Sequence, residues 1–303
     1  MNGPVLAEDN APRGIIGPTS PKSSFRPDPV PARFGAFERR YYLGEARSAD
    51  TVSSFALDHL RGRLSEKRYA ILSLDVFDTL LLRNAKCERR RFWEIAERWQ
   101  ALLPAKSRGV EVLDLYLARL RAAQICYSCG PILAGTQEGR SDSLSGVTLS
   151  LLKLPQSLSL KFMSAEIDYE ADNLAPNPLI LETVNKYSEH GGKVMLLSDM
   201  YLTGAQIHTL ISRFGLGDVA PYVYSSADIT LNKRSGTIFR PAAQNLGVSP
   251  NDILHIGDNF RSDFSMPRLA GWAAQHLPIP RCEEQLRERD EREFLDGIGG
   301  TDL

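Results

Sequence analysis

Apolar residues recur along this chain in two rhythms. Short unbroken apolar runs read as buried strands, and longer stretches with apolar positions three and four apart read as amphipathic helices. Val52, Phe55, Leu57, Leu60 and Leu64 predict a helix over 51–64, and the run 69–74 predicts a strand ending at Asp75. Over 86–125, first Phe92, Ile95, Ala96 and Trp99 and then Val112, Leu115, Tyr116, Arg119 and Leu120 keep helical spacing. The Gly- and Ser-rich stretch 130–148 reads as a loop. Another helix over 158–174 is closed by Pro176 and Pro178.

From residue 193 onward, strand and helix alternate. Strands are expected at 193–197, 222–225, 253–256 and 272–276, with helices at 203–214, 236–246 and 262–269 between them. Thr203 and Gln206 have the spacing of a capping box, and Gly215, Gly247 and Gly271 stand where the helices stop. Such alternation predicts an α/β fold, a Rossmann-like parallel sheet with helices on both faces. More than 100 residues separate the first strand from the second. Residues 86–185 are therefore expected to form a helical cap inserted over the sheet edge, and 46–85 with 186–280 to form the core. The charged stretch from Glu283 to Asp296 predicts an exposed helix or a frayed end within a C-terminal tail, 281–303.

Composition bounds the partners. Seven of the 18 prolines fall in the first 31 residues and no apolar period develops there, so 1–45 is expected to be a disordered, solvated tail. The alternative for that tail is a protein-binding segment around 34–42. With 43% hydrophobic and 24% charged residues and a net charge of −1, the chain gives no electrostatic reason to expect nucleic acid or anionic lipid. No run approaches the roughly 18 apolar residues of a membrane span, and no signal peptide pattern opens the chain, so a cytoplasmic location is expected. Cys87, Cys126, Cys129 and Cys282 are too few and scattered for a disulfide framework. Cys126 and Cys129 read as inert thiols in a partly buried helix, because no second ligand pair completes a zinc site.

The acidic and hydroxyl residues that follow the apolar runs carry the chemistry. Parallel sheets bind ligands along the edge where the strands end. Asp75 would reach that edge from the first strand, Ser198 from the second, and Asp258 and Asp263 from the loop after the strand at 253–256. Asp75 is the candidate nucleophile, ionised at neutral pH without help from a base. Three carboxylates and a phosphoryl group repel one another, and Mg²⁺ with Lys233 would balance them; oxygen ligands favour Mg²⁺ as the cofactor. Ser198 and Lys233 are placed to bind phosphoryl oxygens. Asp199 is expected to anchor its loop toward the cap, His255 to be a hydrogen-bonded core histidine, and Arg261 to be able to meet a substrate anion.

The segments 75–80, 196–199, Lys233 and 255–263 together resemble the haloacid dehalogenase superfamily, mostly Mg²⁺-dependent phosphatases. Asp75 with Thr79-Leu80 is similar to its first motif, Ser198 to its hydroxyl motif, Lys233 to its lysine and Gly257-Asp258 through Asp263 to its acidic metal motif. The wording around Asp75, Ser198 and His255 looks most like a bacterial subgroup found beside glycosyltransferases of surface polysaccharide synthesis. The resemblance implies an aspartyl-phosphate intermediate on Asp75, a small phosphorylated metabolite as substrate, and metal contacts from Asp75, the Phe77 carbonyl, Asp258 and Asp263. One position departs from the pattern. Where the family's phosphatases carry a general acid, two residues after the nucleophile, this chain has Phe77. Asp78 is then either a substitute acid in catalysis or a turn residue. A slow or non-catalytic accessory protein is the alternative function, and a dehalogenase the second.

Overall fold

The structure is a computed structural model that describes residues 51–107 and 109–298; the expectations for 1–45 and for 299–303 lie outside the described residues. Strand β1 (Ile71–Leu74) explains the architecture through its alternation. Leu72 and Leu74 enter one apolar core, whereas Ile71 enters another on the opposite face. A strand that is apolar on both faces has to be covered on both.

Strand β1 lies in the middle of a parallel five-stranded sheet. Strands β2 (Leu81–Arg83) and β3 (Leu174–Pro176) follow it as a separate antiparallel ribbon. The sheet is completed by β4 (Lys193–Ser198), β5 (Tyr222–Ser225), β6 (Ile253–Gly257) and β7 (Ala273–His276), in the order β5-β4-β1-β6-β7. Leu74 stands level with Leu196 of β4 and Ile256 of β6. After β1 the chain builds outward on one side through β4 and β5, then crosses to the other side for β6 and β7. The crevice of this topological switch therefore opens at the end of β1.

Helices α1 (Thr51–Glu66), α6 (Pro178–Glu189) and α7 (Gly204–Ser212) cover one face through Leu60, Ile180, Val184 and Ile207. On the other face lie α9 (Phe239–Leu246) and Trp272. The capping box expected at Thr203 and Gln206 is formed in both directions. Gly247 takes the left-handed conformation that ends α9, with φ of 65°.

The insertion between the ribbon strands holds α2 (Glu88–Ala101), α3 (Val112–Cys129), α4 (Ser141–Leu151) and α5 (Ser159–Asn173) around a core of its own. There Trp99 stacks on Phe162 with ring centres 4.6 Å apart and donates to the Phe162 carbonyl at 2.9 Å. The insertion ends with α5, earlier than the expected boundary at 185, because α6 packs on the sheet.

Helix α4 replaces the second part of the loop expected at 130–148, from Ser141 onward. Its hydroxyls bond back to helix carbonyls, Ser145 to Asp142 at 3.0 Å and Thr148 to Leu144 at 2.8 Å, so they stop competing with the helix. Leu144 and Leu149 supply its buried side.

The C-terminal segment also differs from expectation. Helix α11 (Arg281–Gly297) is docked, with Phe294 in the insertion's core and Arg90 of α2 bonded to Asp290 at 2.7 Å. Between α7 and α11, short helices α8 (Ser226–Ile229) and α10 (Met266–Leu269) serve the loops. Among the described residues, no helix is long and apolar enough to cross a membrane.

Candidate active site

Each strand end delivers one component to the crevice. Asp75 follows β1, and its backbone N–H is fixed to the Ile256 carbonyl at 2.9 Å. Ser198 ends β4 and is buried. Both line a cavity of about 430 Å³ together with Phe77, Lys233, Asp258, Arg261 and Asp263. The loop after β6 begins at Gly257, whose missing side chain is required: a Cβ there would lie 2.6 Å from an Asp263 carboxylate oxygen. The loop continues as a π-helical turn, Phe260–Ser265, whose start is capped by Asn259 accepting from the Arg261 and Ser262 N–H groups, each at 3.0 Å. That turn carries Asp263 back under the strand.

Lys233 is the electrostatic centre. Although buried, it donates to Asp75 and to Asp263, each at 2.6 Å. Burial alone would lower its pKa, but Asp263 and Asp75 outweigh this and hold it above the ordinary lysine value. Asp199 fixes the lysine loop, accepting from the Lys233 N–H at 2.8 Å and the Arg234 N–H at 3.0 Å. Its anchoring is thus to the neighbouring core loop, which differs from the expected anchoring toward the cap. The same loop is tied to the insertion by Glu138, which accepts from Asn232 at 2.6 Å, from Ser226 at 3.0 Å and from Arg234 at 3.0 Å.

Asp263 is the most constrained carboxylate. It accepts from Lys233, from the Asn259 N–H at 3.0 Å and from His255 Nε2 at 3.1 Å. Burial would raise its pKa, yet Lys233 and His255 hold it well below the carboxylate range. His255 is fully buried and its pKa is lowered by that burial. With Ser73 2.7 Å from Nδ1, the neutral ring donates from Nε2 to Asp263 and accepts at Nδ1. The expected core histidine therefore also orients a site carboxylate, a role that nothing in its local sequence signals.

The other two carboxylates are under strain from like charge. Burial pushes Asp75 up to about 7 despite Lys233. Burial and then the Asp75 carboxylate push Asp258 up to about 8. Oxygen atoms of Asp75, Asp258 and Asp263 all lie within 4.8 Å of one another. An all-oxygen cluster with this excess of negative charge fits a hard divalent cation, which favours the ionised form of each ligand.

Asp78 is placed elsewhere. Its backbone is left-handed, with φ of 61°, which turns the side chain out of the cavity. Arg287 of α11 donates to both its oxygens, at 2.7 and 3.1 Å, and Arg83 donates at 3.3 Å. Burial opposes ionisation, but Arg287 and Arg83 keep Asp78 far below the carboxylate range, hence without a proton to give. Phe77 does line the cavity, and its ring is covered by Arg83, with Cζ 4.3 Å from the ring centre. Arg83, Arg234, Arg287 and Glu138 were not found from the sequence. Each belongs to a segment with no motif and meets the site only through tertiary contacts.

Comparison with known proteins shows the family. Residues 72–271 match the family described as haloacid dehalogenase-like hydrolase, a span that runs from β1 past β6 and includes the insertion with Asp75, Ser198, Lys233, Asp258 and Asp263. The chain belongs to the haloacid dehalogenase-like hydrolases. Curated proteins yield no match to it. Among solved structures, the 2-haloacid dehalogenase from Pseudomonas syringae pv. Tomato DC3000 is similar at 16% identity and a TM-score of 0.50, over 67% of this chain and 84% of that one. A HAD phosphatase from Thermococcus onnurineus is similar at 16% identity and a TM-score of 0.45, over 67% and 83%. The L-2-haloacid dehalogenase from Xanthobacter autotrophicus gives 16%, 0.40, 67% and 75%. At such identities the likeness extends to the fold alone. As a haloacid dehalogenase-like hydrolase, the protein gathers its sheet edge and acidic triad around one cavity.

Proposed function

We propose that this hydrolase is a Mg²⁺-dependent phosphatase that forms an aspartyl-phosphate on Asp75 and acts on a small phosphorylated metabolite. The observation that carries this reading is the convergence of Asp75, Asp258 and Asp263 within 4.8 Å, with Lys233 bridging two of them. Displacement of halide by Asp75 would need one carboxylate and no cation. The Asp258 carboxylate, pushed up to about 8, would then be an unrelieved cost.

In this reading Asp75, Asp258, Asp263 and the Phe77 carbonyl would hold Mg²⁺, which would supply positive charge to offset that on the phosphoryl oxygens. Lys233 keeps Asp75 oriented and supplies fixed positive charge beside it. Ser198 donates a hydrogen bond to a phosphoryl oxygen from the end of β4. Asp199 and Glu138 fix the loop that carries Lys233. Asp78 serves structure, because two guanidinium groups keep its carboxylate ionised.

Phe77 favours a second reading, a slow or non-catalytic accessory protein of surface polysaccharide synthesis. General acid catalysis contributes roughly 10²–10⁴-fold, and a phenyl ring contributes none of it. A phosphate-release screen across phosphorylated metabolites separates the readings. Turnover that disappears both with Asp75→Asn and on Mg²⁺ removal is the expected result. Silence across the panel from folded protein that still binds Mg²⁺ favours the accessory role, and chloride release from 2-haloacids without metal favours dehalogenation.

A further inference from the structure

The side chain at position 77 cannot hand a proton to a departing oxygen, but another group occupies the space beside it. Arg83 leaves strand β2 and lays its guanidinium on the Phe77 ring, 4.3 Å from the ring centre, while lining the same cavity as Asp75, Ser198 and Asp258. Asp78 grips it at two points, accepting from the Arg83 backbone N–H and from Nη1, both at 3.3 Å. Asp78 is itself clamped by Arg287. The guanidinium is therefore fixed in orientation before any substrate arrives. Its Nε–H is buried and, among the described residues, has no hydrogen-bond partner, which is costly in the absence of a ligand.

We propose that Arg83 is a catalytic residue that stabilises the leaving oxygen as an anion, replacing the general acid that Phe77 cannot be; this rests on the phosphatase reading. In the first step an Asp75 oxygen bonds to phosphorus and the bond from phosphorus to the ester oxygen breaks. The electron pair of that bond stays on the ester oxygen, which departs against the Arg83 guanidinium and takes a proton from solvent. Water then attacks phosphorus, restoring the Asp75 carboxylate and releasing inorganic phosphate, and its surplus proton goes to solvent. Arg83 keeps its own proton throughout, as guanidinium groups in proteins do. Its effect is electrostatic and preorganised, of the kind an oxyanion hole supplies.

A charge that stabilises an oxyanion matters most where the oxyanion is least stable by itself. Full-length protein with Mg²⁺ is assayed on 4-nitrophenyl, phenyl and simple alkyl phosphates, comparing the native protein with Arg83→Met and Arg83→Lys. Arg83→Met is expected to lose on the order of 10²–10³-fold in kcat on alkyl phosphates, the loss typical of removing one oxyanion donor, and far less on 4-nitrophenyl phosphate. Arg83→Lys, which keeps the charge, is expected to fall between the two; it carries the test if Arg83→Met does not fold. A loss equal across all esters, or no loss, overturns the role of Arg83 while leaving the phosphatase reading intact. No turnover of any ester by the native protein overturns both.

Discussion

Asp78 and Asp75 are three positions apart and chemically identical, yet their surroundings give them opposite tasks. Burial raises Asp75 to about 7, where its charge depends on Lys233. Asp78 faces Arg287 and Arg83 and is held below the carboxylate range. Its stability contribution follows the sign of that shift. A carboxyl whose folded value lies below its unfolded value, about 3.9, contributes fully above that unfolded value and loses the contribution as pH falls through the folded one. Asp78→Asn removes the carboxylate charge that Arg83 and Arg287 share, in a setting where Asp78 is only 8% exposed. Breaking a buried pair in this way costs about 3–5 kcal/mol. Urea unfolding should show that cost undiminished at neutral pH and shrinking between the native protein and the variant as pH drops below roughly 4. The sequence offered two readings of Asp78, substitute acid or turn residue. The left-handed backbone and the ion pairs with Arg83 and Arg287 favour the turn.

At the scale of elements, α11 shows how a highly charged segment can be structural. Its apolar content is small, so the pattern alone predicts exposure. Its charges nevertheless have specific partners: Asp290 bonds the Cys87 N–H at 2.9 Å and Arg90 at 2.7 Å, Glu291 bonds Arg89 at 3.0 Å, and Arg287 reaches Asp78. Phe294 anchors it, with its ring 6.0 Å from Trp93 and 6.2 Å from Tyr116. Truncating a buried aromatic costs about 3–5 kcal/mol. Phe294→Ala should therefore lower stability by an amount in that range in equilibrium unfolding, and should speed hydrogen exchange in α2 as well as in α11. The helices of the βα repeats were legible because each is amphipathic in its own right and bounded by caps such as Thr203 and Gly247. Helix α4 was not legible, because its serines and threonines look like loop residues until a neighbouring helix buries them.

At the scale of the whole molecule, two buried polar clusters join the insertion to the sheet. Arg119 of α3 and Tyr201, which follows β4, both donate to Glu166 of α5, the tyrosine at 2.8 Å. Glu138 ties the insertion to the lysine loop. Stability and the site are therefore linked, and a ligand of the acidic triad should stabilise the entire domain. At a Mg²⁺ concentration one hundred times its Kd the gain is about 2.7 kcal/mol, which raises Tm by roughly 5–10 °C in a domain of this size. Thermal unfolding should show that rise for the native protein and lose it in Asp258→Asn.

The sequence by itself determined the alternation of strands and helices, the parallel sheet, and the ends of β1, β4 and β6 that carry Asp75, Ser198, Asp258 and Asp263. These are local properties, written in apolar runs a few residues long and in the polar residue that follows each run. Tertiary structure alone decided which charges meet. The pairing of Asp78 with Arg287, of Asp263 with His255 and of Phe77 with Arg83 joins residues whose neighbours in sequence carry no trace of the contact. A charged side chain has no spacing rule of its own, and its partner is whatever the folded backbone brings within reach.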